Sequence, residues 1–108
     1  MDPRGKQVFG ADREVGGVVR DLWVDRAEPQ IRYIEVETPG RRTVLLPMTF
    51  AKINGRGVHV QAILGSQFAT VPGLANPNEI TRREEDQICA YYAGGTLYAT
   101  PERSEPLL

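Results

Sequence analysis

Turn-forming residues recur at short intervals between Gly5 and Ile63, and this spacing constrains the fold more than any other feature of the sequence. The segments between the turns alternate apolar and polar residues, which is the pattern of strands with one buried face. Segments this short leave no room for the helical crossovers of βαβ units, so the pattern predicts a small antiparallel β-barrel or a strongly curled sheet. The predicted strands are Val18–Val24, Ile31–Val36, Val44–Ile53 and Val58–Ile63.

Three local signals refine this predicted sheet. Gly16 and Gly17 permit a bend or bulge in the first long strand, which follows a short strand and a turn. Pro47 indicates an edge, a bulge or a break in its strand, because proline cannot donate a hydrogen bond to the ladder. The Asn54-Gly55 pair favours a tight type I′ hairpin, since both residue types tolerate positive φ.

The last third of the chain has a different residue pattern, which predicts one helix. The segment "LGSQFATVPGLANPNE" is rich in glycine and proline, which indicates a loop with a single helical turn at Ser66–Ala69. Thr81 and Glu84 have the spacing of a capping box, and a helix over Arg82–Ala93 follows from it. Two glycines stop that helix, so the fold class is mainly β with one C-terminal α-helix. The domain is expected to occupy residues 1–101, with a flexible tail at residues 102–108.

Size and charge exclude several classes of protein. A chain of 108 residues has room for one small core, and a net charge of -1 gives no electrostatic footprint for non-specific nucleic-acid binding. No apolar run approaches the roughly 20 residues that span a bilayer, and the N-terminus lacks the apolar segment of a signal peptide. We therefore expect a soluble domain that is not exported.

The residues that carry most enzyme chemistry are scarce. His59 is the only histidine and alternates with apolar strand residues, so a structural or surface role is expected. Cys89 lies beside Ile88 in the predicted helix, which favours a packed or half-packed thiol. One histidine and one cysteine do not complete a structural zinc site. Strand carboxylates such as Glu35 and Glu37 are usually a solvated face, so a two-carboxylate hydrolase is disfavoured. We predict a binding module that is not an enzyme.

Several strings resemble one protein family in order and without a large gap from Gly5 to Pro101. They are "VVRDLWVD", "EPQIRYIEVE", "RRTVLLPMTFAKI", "GVHVQAI" and "EITRREEDQICAYYAGGTLYATP". Together they resemble the cytoplasmic domain of the H subunit of purple-bacterial photosynthetic reaction centres, the founding member of the PRC-barrel family. The string around "EEDQICAYYAGG" is the most specific of them.

This resemblance implies a non-catalytic cap on the L and M subunits, which bind the bacteriochlorophylls and quinones. The domain itself would bind no cofactor and no nucleic acid. It would stabilise the secondary-quinone side and assist proton delivery to that quinone. It would lie on the cytoplasmic side of the photosynthetic inner membrane and reach the membrane only through partner subunits and an N-terminal helix that precedes the barrel in the family. An apolar patch left uncovered by the missing partner is expected.

The resemblance also implies proton-transfer residues. The family's acid nearest the quinone falls on Glu28, a second acid of the proton-entry region falls on Asp25, and a basic residue of the same stretch falls on Arg32. The local order "AEP" differs from the family's "PEQ", although the acid is retained. By contrast, we expect Tyr33, Glu35 and Glu37 to lie on the solvated face of their strand, opposite Ile34 and Val36.

Two alternatives of different classes stay open. The first is a free-standing PRC-barrel adaptor that binds a protein or RNA partner, and the second is the small carboxylate hydrolase. An upstream membrane helix in the full-length gene product would favour the reaction-centre function over the adaptor. A hydrolase would need a concave pocket with two convergent carboxylates.

Overall fold

Six strands and one α-helix make up the part of the chain that our computed structural model describes, residues 2–25, 27 and 30–95. The predicted mainly β fold class with one C-terminal helix is confirmed. The strands join into one sheet with the order β4-β3-β2-β1-β6-β5. The elements are β1 (Gln7–Phe9), β2 (Val15–Val24), β3 (Ile31–Glu37), β4 (Thr43–Pro47), β5 (Ala51–Asn54), β6 (Gly57–Val60) and α1 (Arg82–Gly94).

One strand pair departs from the antiparallel prediction. β1 pairs in parallel with β6, with Val8 opposite Val58 and Phe9 opposite His59, whereas the other pairings are antiparallel. The meander β4-β3-β2-β1 leaves one edge of β1 with unpaired backbone groups. The β5–β6 hairpin covers that edge, and β6 approaches it running in the same direction as β1.

All four predicted strands differ in their bounds. β2 begins three residues before its predicted start, at Val15, and β3 ends one residue after its predicted end, at Glu37. The segment predicted as one strand over Val44–Ile53 is two strands, because the ladder ends at Pro47 and a 3₁₀ turn at Met48–Phe50 redirects the chain. Of the edge, bulge or break that the proline indicates, the structure shows an edge and a break, because β4 is also the edge strand of the sheet. The strand predicted over Val58–Ile63 ends at Val60, although the Ile63 carbonyl still accepts a hydrogen bond of 2.8 Å from the Ala11 N–H.

The β5–β6 hairpin forms where predicted, with a two-residue loop between Asn54 and Gly57, but its turn is not type I′. That turn needs positive φ at both loop residues. Here the positive φ, +144°, occurs at Gly57 instead. The Asn54 side-chain oxygen accepts a 2.8 Å hydrogen bond from the Arg56 N–H, so the asparagine stabilises the turn through its side chain.

The bulge expected near the paired glycines is confirmed. Val8 lies opposite Gly17 and Phe9 lies opposite Val15, so Gly16 is the extra residue of the bulged strand. A methyl group on Gly16 would overlap the ring of Phe68. The glycine is therefore needed for packing as well as for the bend.

The loop after β6 carries the predicted helical turn as a 3₁₀ helix over Gly65–Thr70. Its Phe68 is fully buried and meets the ring of Tyr92 edge to face, with 6.2 Å between the ring centroids. Tyr92 is also fully buried, and its hydroxyl donates a 3.0 Å hydrogen bond to the Leu45 carbonyl. These contacts join the 3₁₀ helix, α1 and β4 into one core.

α1 begins and ends as the sequence predicts, within one residue. Thr81 accepts a hydrogen bond from the Glu84 N–H, and the Glu84 carboxylate accepts one from the Thr81 N–H, which completes the capping box. The same carboxylate accepts a 2.7 Å hydrogen bond from the Ala75 N–H and so ties the preceding loop to the helix. The cap at Gly95 has φ of +42°, which favours glycine.

The capping carboxylate makes stability depend on acid pH. Hydrogen bonds from the Thr81 and Ala75 N–H groups hold the pKa of Glu84 below its ordinary value of 4.5. The stabilisation is therefore present above pH 4.5 and is lost as the pH falls through the lower pKa of the folded state.

We expect Glu84→Gln to lower the thermal midpoint of unfolding at neutral pH. The difference in midpoint between the variant and the wild type should become smaller in acid. Melting curves of both proteins near pH 7 and near pH 3 check this, with the exposed Glu79→Gln as control. A difference that stays constant with pH would contradict it.

Candidate functional site

The candidate site is built on the face of β2 and β3 that carries Trp23, Tyr33 and Glu35. Trp23 lies directly opposite Tyr33 in the antiparallel ladder, and Asp21 lies opposite Glu35. Residues paired in this way project from the same face of the sheet. The N-terminal part of α1 borders this face, because Glu85 contacts Arg32 and Tyr33 of β3.

Arg32 joins two of the carboxylates on this face. Its guanidinium lies 3.2 Å from Asp25 Oδ2 and 3.3 Å from Glu85 Oε1. The structure therefore brings together Asp25 and Arg32, two of the residues that the resemblance names, and adds an acid from the helix. Glu28 lies outside the described residues. The three side chains keep between a third and a half of their surface exposed, so these ion pairs contribute little to stability.

Tyr33 lies beneath this ion-pair group and is buried, which corrects its predicted place on the solvated side of β3. Burial raises the pKa of its phenol, and a hydrogen bond with the Glu85 carboxylate raises it further. Tyr33 therefore remains a neutral hydrogen-bond donor at physiological pH. A cleft of about 350 Å³ opens beside it and is lined in part by Asp25, Arg32 and Glu85.

Glu35 also differs from its predicted place on a solvated face. Its side chain is only 17% exposed, and its Oε1 accepts a 3.0 Å hydrogen bond from the indole N–H of Trp23. Arg20 lies 4.0 Å from Glu35 and 3.8 Å from Glu37. Glu37 is 38% exposed, in keeping with the expected solvated position.

The Trp23–Glu35 pair lines a second cleft of about 270 Å³, which is closed on the other side by the loop around Pro72 and Pro77. Sequence reasoning missed this pair because bulges shift the β2–β3 register after Val19 and again after Trp23. A strand pairing without those shifts would have placed a different residue opposite Trp23. The one available signal was the tryptophan itself, whose indole N–H needs an acceptor when it is partly buried.

The side chains at the site form ion pairs and hydrogen bonds. Among the described residues, no group of three His, Cys, Asp or Glu side chains is placed to hold a metal ion. Cys89 is half-buried as expected, and burial raises the pKa of its thiol, with Glu85 and Asp86 adding to that shift. His59 lies away from these clefts, where it stacks on Phe9 and contacts the Asn54 side chain, and so occupies the expected surface position.

The largest exposed apolar side chains in the described residues all belong to β2. They are Val15, Val18 and Val24, with Val24 at 55% exposure. They do not settle whether a large uncovered patch exists, so that expectation stays a prediction. No helix in the described part of the chain is long and apolar enough to cross a membrane.

A comparison with models of known protein families matches residues 1–67 to the PRC-barrel domain. The matched segment contains all six strands and ends inside the 3₁₀ helix, so α1 lies beyond it. It includes Asp25, Glu28 and Arg32 but not Glu85. The arrangement of the ion-pair group therefore depends on the matched barrel and on the helix that follows it.

Proposed function

Because the chain belongs to the PRC-barrel domain family, we propose that it is the cytoplasmic domain of a photosynthetic reaction-centre H subunit. In this function it caps the L and M subunits on the cytoplasmic side of the photosynthetic membrane and assists proton delivery to the secondary quinone. It performs no catalysis and binds no nucleic acid. The strings shared with that subunit from Gly5 to Pro101 support the proposal beyond the family match.

The observation that carries the proposal is the ion-pair group of Asp25, Arg32 and Glu85. The Arg32 guanidinium offsets part of the repulsion between two carboxylates, and a net negative charge remains. Such a group attracts protons from solution and concentrates them near a neighbouring acceptor. Glu28, the acid that the resemblance assigns nearest the quinone, is the group that takes and releases the proton.

Pigments and quinones belong to the partner subunits in this proposal. The two clefts around the site, of about 270 and 350 Å³, lie at the lower limit of ordinary ligand pockets, roughly 300–1,000 Å³. Such clefts suit water and protonatable side chains better than a bacteriochlorophyll. The exposed valines of β2 offer an apolar contact for the L and M subunits.

Glu28→Gln in an assembled reaction centre tests the proposal. The amide keeps the shape of the side chain but cannot take and release a proton, so proton-coupled reduction of the secondary quinone after the second flash should slow about tenfold. Arg32→Gln should slow it as well, because without the shared cation Asp25 and Glu85 repel each other and the two acids no longer stay grouped. Flash-induced absorbance changes across about pH 6 to 9 measure the rate.

The control is Glu37→Gln, which removes an exposed acid from the end of β3 and should leave the rate unchanged. Exposed substitutions of this kind alter stability by about 0.5 kcal/mol or less, so all three complexes should assemble. Wild-type rates in both Glu28→Gln and Arg32→Gln, with the complexes intact, would contradict the assignment.

A free-standing adaptor is the second candidate, because the family match by itself specifies no photosynthetic partner. The exposed valines of β2 suit a protein partner of either kind. The full-length gene product separates the two functions. An upstream segment of about 20 apolar residues supports the reaction-centre subunit, and a soluble full-length protein supports the adaptor.

A further inference from the structure

A second surface, unrelated to the clefts around Trp23 and Arg32, lies on the outer face of β1, β6 and β5. Phe9, His59 and Lys52 form one row across the three strands, because Phe9 pairs with His59 and His59 pairs with Lys52. Their neighbours Val8 and Val58 point the other way and are fully buried. The row forms the floor of a groove of about 820 Å³.

The groove is cationic. Lys52 lies in its floor, Arg56 lies in the β5–β6 turn at one end, and Arg13 lies in the β1–β2 turn at the other. None of the ion pairs between described residues involves these three side chains. The described residues lining the groove include no Asp or Glu. The adjacent Asp12 accepts hydrogen bonds from the N–H groups of Glu14 and Gly65, so backbone donors already engage its carboxylate.

The difference in charge between the groove and the rest of the chain favours a short anionic ligand over a long one. The whole chain has a net charge of -1, so the residues other than Arg13, Lys52 and Arg56 carry a net charge of -4. Charges interact strongly only within about 8–10 Å at physiological salt. A long RNA or an anionic bilayer would extend beyond the groove onto repelling surface, whereas a short ligand senses only the local cations.

An extended peptide can lie along the groove. Arg56 and Gln61 both line it and are five residues apart, at most about 17 Å at roughly 3.3 Å per residue, so about five extended residues fit beside them. A carboxylate near each end would meet Arg56 and Arg13, and one in the middle would meet Lys52. The stacked rings of Phe9 and His59, 5.2 Å apart, provide a flat surface for the peptide backbone.

From these observations we infer that the groove formed by β1, β6 and β5 binds a short acidic segment of a protein partner in an extended conformation. This goes beyond the proposed function, because the groove shares no lining residue with the clefts of the candidate site. It holds for a reaction-centre subunit and for an adaptor alike.

The test measures binding of a fluorescein-labelled peptide, ESESE, by fluorescence anisotropy at low salt, with QSQSQ as the uncharged probe. The double variant Lys52→Gln/Arg56→Gln should bind ESESE at least about tenfold more weakly than wild type. The matched control Arg82→Gln/Arg83→Gln removes two exposed cations from the start of α1 and should bind like wild type. Arg13→Asn provides an independent variant, because asparagine tolerates the φ of +66° at that position.

Weaker binding by both groove variants, with unchanged melting curves and an unaffected control, supports the inference. Equal affinity of wild type and both groove variants for ESESE would overturn it, as would the absence of binding by wild type. Tighter binding of oligo(U) RNA or of phosphatidylserine vesicles than of ESESE, lost in the same variants, would overturn the assignment of an acidic peptide.

Discussion

Phe68→Ala is expected to lower the free energy of unfolding by about 3–5 kcal/mol, the usual cost of removing a fully buried aromatic ring. The ring fills the space left by the absent side chain of Gly16 and packs edge to face on Tyr92. Few other atoms are placed to collapse into the resulting cavity, because the sheet on one side and α1 on the other are fixed by their own hydrogen bonds. Urea denaturation followed by circular dichroism measures the loss.

Ser66→Ala is the matched control, since Ser66 is exposed in the same 3₁₀ helix and should change stability by about 0.5 kcal/mol or less. Gly16→Ala tests the contact between Gly16 and the Phe68 ring directly. Alone it should destabilise the protein, because the added methyl group overlaps the Phe68 ring, but in the Phe68→Ala background that overlap is gone. A loss below about 1 kcal/mol for Phe68→Ala, or additive effects in this double-mutant cycle, would contradict the packing described.

The elements that sequence predicted best are those set by neighbouring residues. The capping box needs only Thr81 and Glu84, three residues apart, and the helix begins where they place it. The bulge needs the flexibility of adjacent glycines, and Gly16 supplies it. In each case the residues that cause the feature are near neighbours in the sequence.

The features that sequence missed depend on distant partners. The parallel pair of β1 and β6 joins residues about 50 positions apart, and no local pattern specifies the direction in which two such strands meet. The proline predicted an edge, a bulge or a break, and the sequence did not specify that the strand after Pro47 leaves β3 and pairs with β6.

The candidate site also combines residues that are close in sequence with one that only the fold brings near. Asp25 and Arg32 flank one short connection, so their proximity follows from the hairpin that joins β2 and β3. Glu85 comes from a helix 53 residues after Arg32, and only the packed structure brings it to the same guanidinium. The resemblance identified the first two residues, and the fold supplied the third.

Net charge was also an incomplete guide. A value of -1 argues against a long polyanion on the whole surface, but it averages over regions of opposite sign. Arg13, Lys52 and Arg56 are far apart in sequence, and the pairing of β1 and β5 with β6 gathers them around one groove. A local cluster of this kind becomes visible only when the strand order is known.

Gly10→Ala is expected to cost about 2–3 kcal/mol, the upper range for an added methyl group in a closely packed place. The methyl group would overlap the backbone of Leu64 and Gly65 and would lie 2.8 Å from the Ile63 carbonyl oxygen. These are main-chain atoms held by the Ala11–Ile63 hydrogen bond, so neither segment yields without breaking it.

The same substitution should also weaken binding of ESESE, because Gly10 precedes Arg13 at one end of the cationic groove. Gly40→Ala is the control, since a methyl group there meets no atom within 4 Å and the backbone φ suits any residue. That control should be neutral or more stable by about 0.4–1 kcal/mol, because alanine restricts the unfolded chain. Chemical denaturation of the wild type and the two variants measures both changes in stability, and fluorescence anisotropy measures the binding of ESESE. Equal stability of Gly10→Ala and Gly40→Ala would contradict the close packing of the β1–β2 turn against the backbone at the start of the 3₁₀ helix. The end of the groove that positions Arg13 would then not be fixed by this packing.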